Sequence, residues 1–106
     1  MKAIFVLAAA ELFLPAANSL KDKRQIVKSI VEKIKARTHA SAAETDFHDL
    51  WRRAAVGMAW AGSDRRVLEK QEELAKNIIN DRFDVEVVSF SVKYLAGEED
   101  FWKFQR

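Results

Sequence analysis

Hydrophobic residues alternate along the first part of the chain in a pattern that predicts a β-strand over residues 2–14. One face of this strand carries Ile4, Val6, Leu12 and Leu14. The other face carries Phe5, Leu7, Glu11 and Phe13. Both faces are therefore largely apolar.

The hydrophobic period lengthens to that of a helix after this strand. Pro15 and Asn18 end the strand, and Ser19 with Asp22 three residues later is a typical N-cap pair. The pattern predicts a helix that runs to about Arg37. Its inner stripe is formed by Ile26, Val27, Ile30, Val31 and Ile34.

A hairpin is predicted after the first helix. Residues 38–45 are weakly strand-like, residues 46–49 form the turn, and residues 52–61 form a second extended run. On one face that run carries Val56, Met58 and Trp60. On the other it carries only the small residues Ala55, Gly57, Ala59 and Ala61.

A second helix and a last strand complete the pattern. The helix begins at residues 62–63 and ends at residues 80–81, and residues 84–94 alternate as a strand. The order βαββαβ predicts an α+β fold, a ferredoxin-like sandwich in which a four-stranded antiparallel sheet has both helices on one face. We expect a single domain over residues 1–95, followed by an aromatic C-terminal tail over residues 96–106.

Basic residues cluster at the predicted start of each helix. We expect the first and third strands to lie centrally and parallel, so that both helices begin at the same end of the sheet. The residues that would then share one basic rim are Ser19, Lys21, Lys23, Arg24, Ser63, Arg65 and Arg66. Cations beside the free amides of two helix N-termini could hold a phosphate or another anion. The alternative is that these charges are solvated or paired with neighbouring acids.

An apolar patch is predicted on the sheet face away from the helices, where Phe5, Leu7 and Phe13 lie beside the small residues of the third strand. We expect an oligomer interface there, formed by a second copy in a homodimer or by the tail. The tail residues that would fold over the face are Phe101, Trp102 and Phe104. Both can hold at once if the tails exchange between protomers. The alternative is a face that long side chains partly shield.

Composition narrows the classes of function. The 106-residue chain has no cysteine, which excludes disulfides and thiolate nucleophiles and agrees with a cytoplasmic location. Its net charge of +2 is too small to indicate nucleic-acid binding by itself. The apolar N-terminal run imitates a secretory signal, but Glu11 interrupts it and we interpret it as a strand. Because the run is also too short to span a bilayer, we expect no membrane partner.

Four segments of the chain resemble motifs of the YlxP-like family, small bacterial proteins of unknown function. They are residues 11–15 (ELxLP), 19–24 (SLKDKR), 44–57 (ExDFxDLWxRAxxG) and 64–66 (DRR), where x marks a position outside the motif. The resemblance covers roughly residues 2–95 and implies a cytoplasmic ferredoxin-like protein without an established activity. Family members are often encoded among translation and ribosome-maturation genes, so the resemblance implies an RNA or ribosome connection by association. The alanine-rich strands and the aromatic tail depart from the family pattern.

Signals for catalysis are weak. Acidic and histidine side chains gather in the hairpin at Glu44, Asp46, His48 and Asp49. These are also ordinary turn residues, so we expect no metal site. We interpret Leu50 and Trp51 as a plug at one end of the core and Arg53 as a partner for Glu44 or Asp46. Since the chain has no serine elbow and no glycine-rich cofactor loop, we predict no catalytic residue and no cofactor.

The favoured function is a non-catalytic accessory module that contacts RNA or a ribosomal particle through the basic rim. We expect contacts to phosphates, because Trp51 and Trp60 are assigned to the core rather than to a base-stacking surface. The second hypothesis is a homo-oligomeric protein-interaction module that uses the apolar sheet face. The third is a small enzyme with an acylphosphatase-like anion pocket or a cofactor-free pocket between sheet and helices.

Overall fold

The computed structural model describes residues 2–97 and confirms the ferredoxin-like order of elements. These are β1 (Ile4–Phe13), α1 (Leu20–Thr38), β2 (Ser41–Asp46), β3 (Arg53–Gly62), α2 (Arg65–Asn80) and β4 (Glu86–Ala96). The strands form one antiparallel sheet in the order β2-β3-β1-β4, and the helices pack on one of its faces. Neither helix in this part of the chain is long and apolar enough to cross a membrane.

Each helix begins at a polar side chain that satisfies free backbone amides. Ser19 Oγ accepts a hydrogen bond from Asp22 N at 3.1 Å, so the predicted cap of α1 is confirmed. The cap of α2 is Asp64, whose Oδ1 accepts from Arg66 N at 2.9 Å. The second helix therefore begins after Asp64 and not at residues 62–63.

The core lies between the sheet and the helices and follows the predicted strand faces. The β1 side chains in it are Val6, Ala8, Ala10 and Leu12, and those of α1 are Val27, Ile30 and Ile34. Trp60 is buried as predicted, and its Nε1 donates to Thr38 O at 3.0 Å. This bond ties the end of β3 to the last turn of α1 and gives the buried indole nitrogen an acceptor.

The start of β4 departs from its predicted alternation. A register shift in its pairing with β1 lies between Glu11 and Leu12 and places Val87, not Val88, opposite Leu12. Val88 is 58% exposed, whereas the alternation put it on the same face as Phe90. The prediction failed at this position because one inserted residue moves the neighbouring side chain to the other face.

The two central strands are antiparallel, so the prediction that β1 and β3 run parallel is wrong. Their register pairs Ile4 with Gly62 and Phe13 with Arg53. α1 follows the Phe13 end of β1, whereas α2 follows the Gly62 end of β3, so the helices begin at opposite ends of the sheet. Strands of this length separate those ends by roughly 30 Å. The reason is that the β2–β3 hairpin reverses the chain direction before α2 begins.

Candidate functional site

The predicted basic rim is divided into two surfaces. Ser19, Lys21, Lys23 and Arg24 lie at the start of α1, and Ser63, Arg65 and Arg66 lie at the start of α2. Because these helix starts are at opposite ends of the sheet, the expectation that all seven residues share one rim is wrong. Each helix start must therefore be considered alone.

Lys23 has a different position from the one predicted. Its side chain is 0% exposed, and its Nζ lies 2.7 Å from Glu44 Oε2. The same ammonium group donates to Phe47 O at 2.6 Å and to His48 O at 3.3 Å. With its protons directed at three internal acceptors, Lys23 is unavailable to a ligand at the surface, which corrects its assignment to the anion site. It instead holds a turn in which Phe47 has a positive φ of 60°.

The loop between β2 and β3, residues 47–52, is fixed against the chain that leads into α1. Besides the contacts of Lys23, Arg52 Nε donates to Ala17 O at 3.1 Å. Leu14 N donates in turn to Arg52 O at 2.8 Å. The position of the loop relative to the first turn of α1 is thus defined by contacts from both sides.

The same loop exposes the two apolar side chains that were predicted to plug the core. Trp51 is 53% exposed, and Leu50 is exposed as well, so that prediction is wrong. Lys23 draws the backbone of the loop, rather than one of its side chains, towards the interior. An indole with this exposure is available for contact with a partner.

Arg53 also has another partner than predicted. Its Nη2 lies 2.7 Å from Glu11 Oε2, and its guanidinium lies 4.2 Å from the centre of the Phe47 ring. The antiparallel register places Arg53 diagonally across from Glu11 on the sheet face away from the helices, which we call the open face, while Glu44 pairs with Lys23. This pair is therefore part of the sheet surface and not of the hairpin turn.

At the start of α2 the basic side chains are exposed and one of them is paired. Arg65 Nε lies 3.0 Å from Glu69 Oε1, and the Arg65 guanidinium lies 4.5 Å from the centre of the Tyr94 ring. Burial raises the pKa of Tyr94 above its usual value. Ser63 and Arg66 are exposed, and neither side chain caps the helix. This helix start has no buried lysine of the kind found in α1.

The outer surface of α1 concentrates the positive charge of the molecule. Apart from the buried Lys23, six Lys and Arg residues stand against two acidic residues in this helix, a net charge of +4 in a chain whose total is +2. At 100° per residue, one side of the helix carries a set that we call the α1 basic stripe: Lys21, Arg24, Lys28 and Lys35. All four are exposed and extend over about 21 Å at 1.5 Å per residue. Their spacing of i, i+3, i+7 and i+14 is visible in the sequence. The prediction of a basic rim overlooked it because that prediction considered only the helix starts.

One acidic residue, Glu32, lies beside the stripe. Its carboxylate lies 4.0 Å from Lys28 Nζ, and both side chains are largely exposed. Such a pair is weak in water, so Lys28 keeps most of its capacity to bind another anion.

The open face of the sheet is the second candidate surface. Its β1 side chains include Phe5, Leu7 and Phe13, and the adjacent side of β3 carries Ala55, Gly57, Ala59 and Ala61. The side chain of Leu7 on this face is 46% exposed. Phe101, Trp102 and Phe104, which were predicted to join this interface, lie outside the described residues.

The hairpin residues considered as metal ligands have other contacts. Glu44 pairs with Lys23, and Asp46 Oδ1 accepts from Phe47 N at 2.7 Å. Between residues 2 and 97, no three His, Cys, Asp or Glu side chains come close enough together to hold a metal ion.

Fold and surfaces together define a small ferredoxin-like α+β protein with a basic helix on one side and an apolar sheet face on the other. The chain belongs to the DUF503 family, described as "Protein of unknown function (DUF503)", whose model matches residues 5–92. This match confirms the resemblance to YlxP-like proteins that the sequence motifs indicated.

A curated relative and a solved structure agree with this membership and with the fold. The chain is 33% identical over 64 residues to "Uncharacterized protein YlxP" of Bacillus subtilis (strain 168), a match that covers 60% of this chain and 70% of the relative. It is also similar to the crystal structure of MupZ from Pseudomonas fluorescens, with a TM-score of 0.57 and 13% identity. That likeness covers 95% of this chain and 78% of MupZ, and at this identity it shows the fold alone.

Proposed function

We propose that the protein is a non-catalytic, RNA- or ribosome-associated accessory module that contacts RNA phosphates through the α1 basic stripe. The observation that carries the proposal is the separation of charge within the chain. When the buried pair of Lys23 and Glu44 is set aside, α1 has a net charge of +4 and the remaining residues together have −2. A polyanion is therefore attracted more strongly to α1 than to the rest of the molecule taken together.

The geometry of the stripe supports contacts to a nucleic-acid backbone rather than to a single anion. Its four cations are spread over about 21 Å, a length over which a backbone presents several phosphates. Lys and Arg side chains on an exposed helix surface can each reach a separate phosphate and release its counterions. Such contacts position the protein without reading sequence, which fits a structured RNA.

Trp51 supports the same proposal. Its loop is fixed against the start of α1 by Lys23 and Arg52, so the exposed indole lies at the same end of the molecule as Lys21 and Arg24. An aromatic side chain beside cations offers a surface on which an unpaired base can stack. The stripe would thus supply the affinity and Trp51 a contact to one exposed base.

The test compares two triple variants that remove equal charge from the two helices. Arg24→Ala, Lys28→Ala and Lys35→Ala act on the stripe, and Arg66→Ala, Lys70→Ala and Lys76→Ala act on α2. Fluorescence anisotropy with a labelled RNA hairpin is measured at several salt concentrations. We expect the α1 variant to bind more weakly and its log–log salt slope to fall by about 2 to 3, while the α2 variant keeps its slope. Equal losses in both variants, or no loss in either, would contradict the proposal.

Self-association through the open sheet face is a second candidate function. It is favoured by the exposure of Leu7 within an apolar surface, which monomeric proteins seldom leave open. Leu7→Glu is compared with Leu74→Glu, which places the same charge on an exposed apolar position of α2. Light scattering after size exclusion is expected to show a dimer that only Leu7→Glu disrupts. A dimer that survives Leu7→Glu would exclude this face.

A further inference from the structure

We propose that the open sheet face is covered by a second copy of this chain, in a dimer whose two-fold axis runs parallel to the strands. In this dimer β1 of one protomer lies over β3 of its partner. The inference rests on the self-association given above as the second candidate function, and it adds the arrangement of the two copies. Two observations carry it: the sizes of the side chains on the central strands and the register that pairs them.

Side chains on the open face are sorted by size between the two central strands. The register places Leu7 beside Ala59 and Glu11 beside Ala55. The large member of each pair is on β1 and the small member on β3. Over this part of the face β1 therefore forms a ridge and β3 a shallow strip, whereas Phe13 lies beside the large Arg53 at the end of the strands.

This sorting selects one way of stacking two copies. Rotation by 180° about an axis parallel to the strands exchanges the lateral positions of β1 and β3 and keeps every residue at its own height. Leu7 then lies over the partner's Ala59, and Glu11 lies over the partner's Ala55. An axis across the strands would place ridge on ridge and strip on strip, which leaves a gap along β3 that costs packing contacts.

The charges on the face are compatible with this contact. Glu11 and Arg53 form an ion pair at 2.7 Å within each protomer, so together they enter the interface without net charge. Lys93 pairs with Leu7 in the register of the edge strand β4. At the rim of a stacked pair its stem can cover apolar surface while its ammonium group stays in water.

The size of the face is that of a small protein–protein interface. β1 has 10 residues, which corresponds to a length of about 33 Å, and four strands give a width of about 19 Å. Because β2 has only 6 residues, the projected area is at most roughly 600 Å², compared with the ~800 Å² of accessible surface that each partner contributes to a standard interface.

The first experiment exchanges large and small side chains. Leu7→Ala and Ala59→Leu are made singly and together in the full chain, and the dimer dissociation constant is measured by analytical ultracentrifugation. Leu7→Ala leaves a gap and Ala59→Leu places Leu on Leu, so each is expected to raise Kd about tenfold or more. The double variant restores large over small and is expected to recover most of that loss. Position 57 is unsuitable, because a Cβ on Gly57 would lie 2.7 Å from Thr45 Cγ2.

The second experiment determines the axis without changing the interface. Because the chain has no cysteine, Ser63→Cys can carry a single spin label at an exposed position beyond the end of β3. An axis parallel to the strands places both labels at the same end of the dimer, within about 25 Å of each other. An axis across the strands separates them by more than about 30 Å, the length of the sheet.

The outcomes show whether a second copy or the segment of residues 98–106 covers the open face. A full chain that stays monomeric overturns the proposal, and if truncation after Gly97 then produces a dimer, the occupant is the segment of residues 98–106. A dimer whose double variant is no better than the single variants, or whose labels are far apart, overturns the arrangement proposed here. That last result would leave self-association as a function intact, so the two failures are distinguishable.

Discussion

The starts of the two helices share a sequence signature and differ in structure. Each has a polar cap followed by Lys and Arg, and each lies beyond the end of a central strand. At α1 the cluster is divided: Lys23 is buried on Glu44 and the loop backbone, while Lys21 and Arg24 face outward. At α2 the whole cluster is exposed. The same basic sequence signature thus accompanies two different structures. They differ in whether one of the basic side chains is buried.

The largest expected difference between the two helix starts is the loss of unfolding free energy when Lys23 is replaced. Lys23→Ala leaves Glu44 Oε2 buried, and no hydrogen-bond donor within residues 2–97 reaches that oxygen in its place. We expect a loss of about 3 to 5 kcal/mol in the free energy of unfolding, because an uncompensated buried charge remains. Lys21→Ala, a neighbouring exposed lysine, should stay within about 0.5 kcal/mol. Urea denaturation measures both, and similar effects for the two variants would show that Lys23 does not hold the loop.

The caps should make the two helix starts alike. Ser19 and Asp64 each accept a hydrogen bond from the first turn of their helix. We expect Ser19→Ala and Asp64→Ala each to cost about 1 kcal/mol of unfolding free energy, since each leaves an amide without its side-chain acceptor. Thermal denaturation monitored by circular dichroism checks this expectation. A loss at Asp64 as large as that of Lys23→Ala would remove the contrast between the two starts.

A smaller, pH-dependent contribution to stability comes from the ion pair of Arg82 and Asp84, which follows the C-terminal end of α2 and contacts α1. Arg82 donates to Asp84 at 2.7 Å and to Ser29 of α1 at 3.1 Å. The hydrogen bond from Arg82 lowers the pKa of Asp84 below its usual value. The stabilisation is therefore complete above the unfolded-state pKa of Asp84 and is lost as pH falls through the folded-state pKa.

We expect Asp84→Asn to lower the unfolding free energy at neutral pH by less than about 1 kcal/mol, because the pair is partly exposed. The difference from the unchanged protein should shrink under acid conditions. Denaturation curves at neutral and acid pH measure it, and a difference that grows as the pH falls would have the wrong sign for this mechanism.

The smallest expected effect is at Arg65. It forms an exposed pair with Glu69 four residues on and lies over the Tyr94 ring. We expect Arg65→Ala to cost about 0.5 kcal/mol, and Arg65→Lys to recover part of it through the retained charge. A loss above about 2 kcal/mol would give this exposed arginine a structural role like that of Lys23.

Periodicity was enough to predict which elements form and which strand faces enter the core. Alternation assigned Val6 and Leu12 to the core side of β1, and Trp60 to that of β3. The direction of β3 was also implicit in the order of elements, because a hairpin after the first crossover turns β3 antiparallel to β1. The error in direction had the largest consequence, since it created a single basic rim that the fold does not contain.

The burial of Lys23 and the exposure of Trp51 could not be predicted from the local sequence pattern. A lysine is ordinarily exposed and a tryptophan ordinarily buried, so both residues were assigned by their usual preference. Both preferences are overridden by one tertiary arrangement. In it, a carboxylate on β2 and two loop carbonyls surround the ammonium group of Lys23, which is 20 or more residues away in the sequence. The shift at Val88 has a similar origin, because a bulge interrupts the alternation on which the prediction depends.

We propose that RNA contacts the protein along α1 and not at the start of α2. A titration of the ¹⁵N-labelled full chain with an RNA hairpin, followed by amide chemical-shift changes, tests it most directly. The account predicts salt-sensitive shifts along α1 and in the loop of residues 47–52, with little change at residues 63–67. Shifts centred on residues 63–67, or no shift at any RNA concentration, would contradict it.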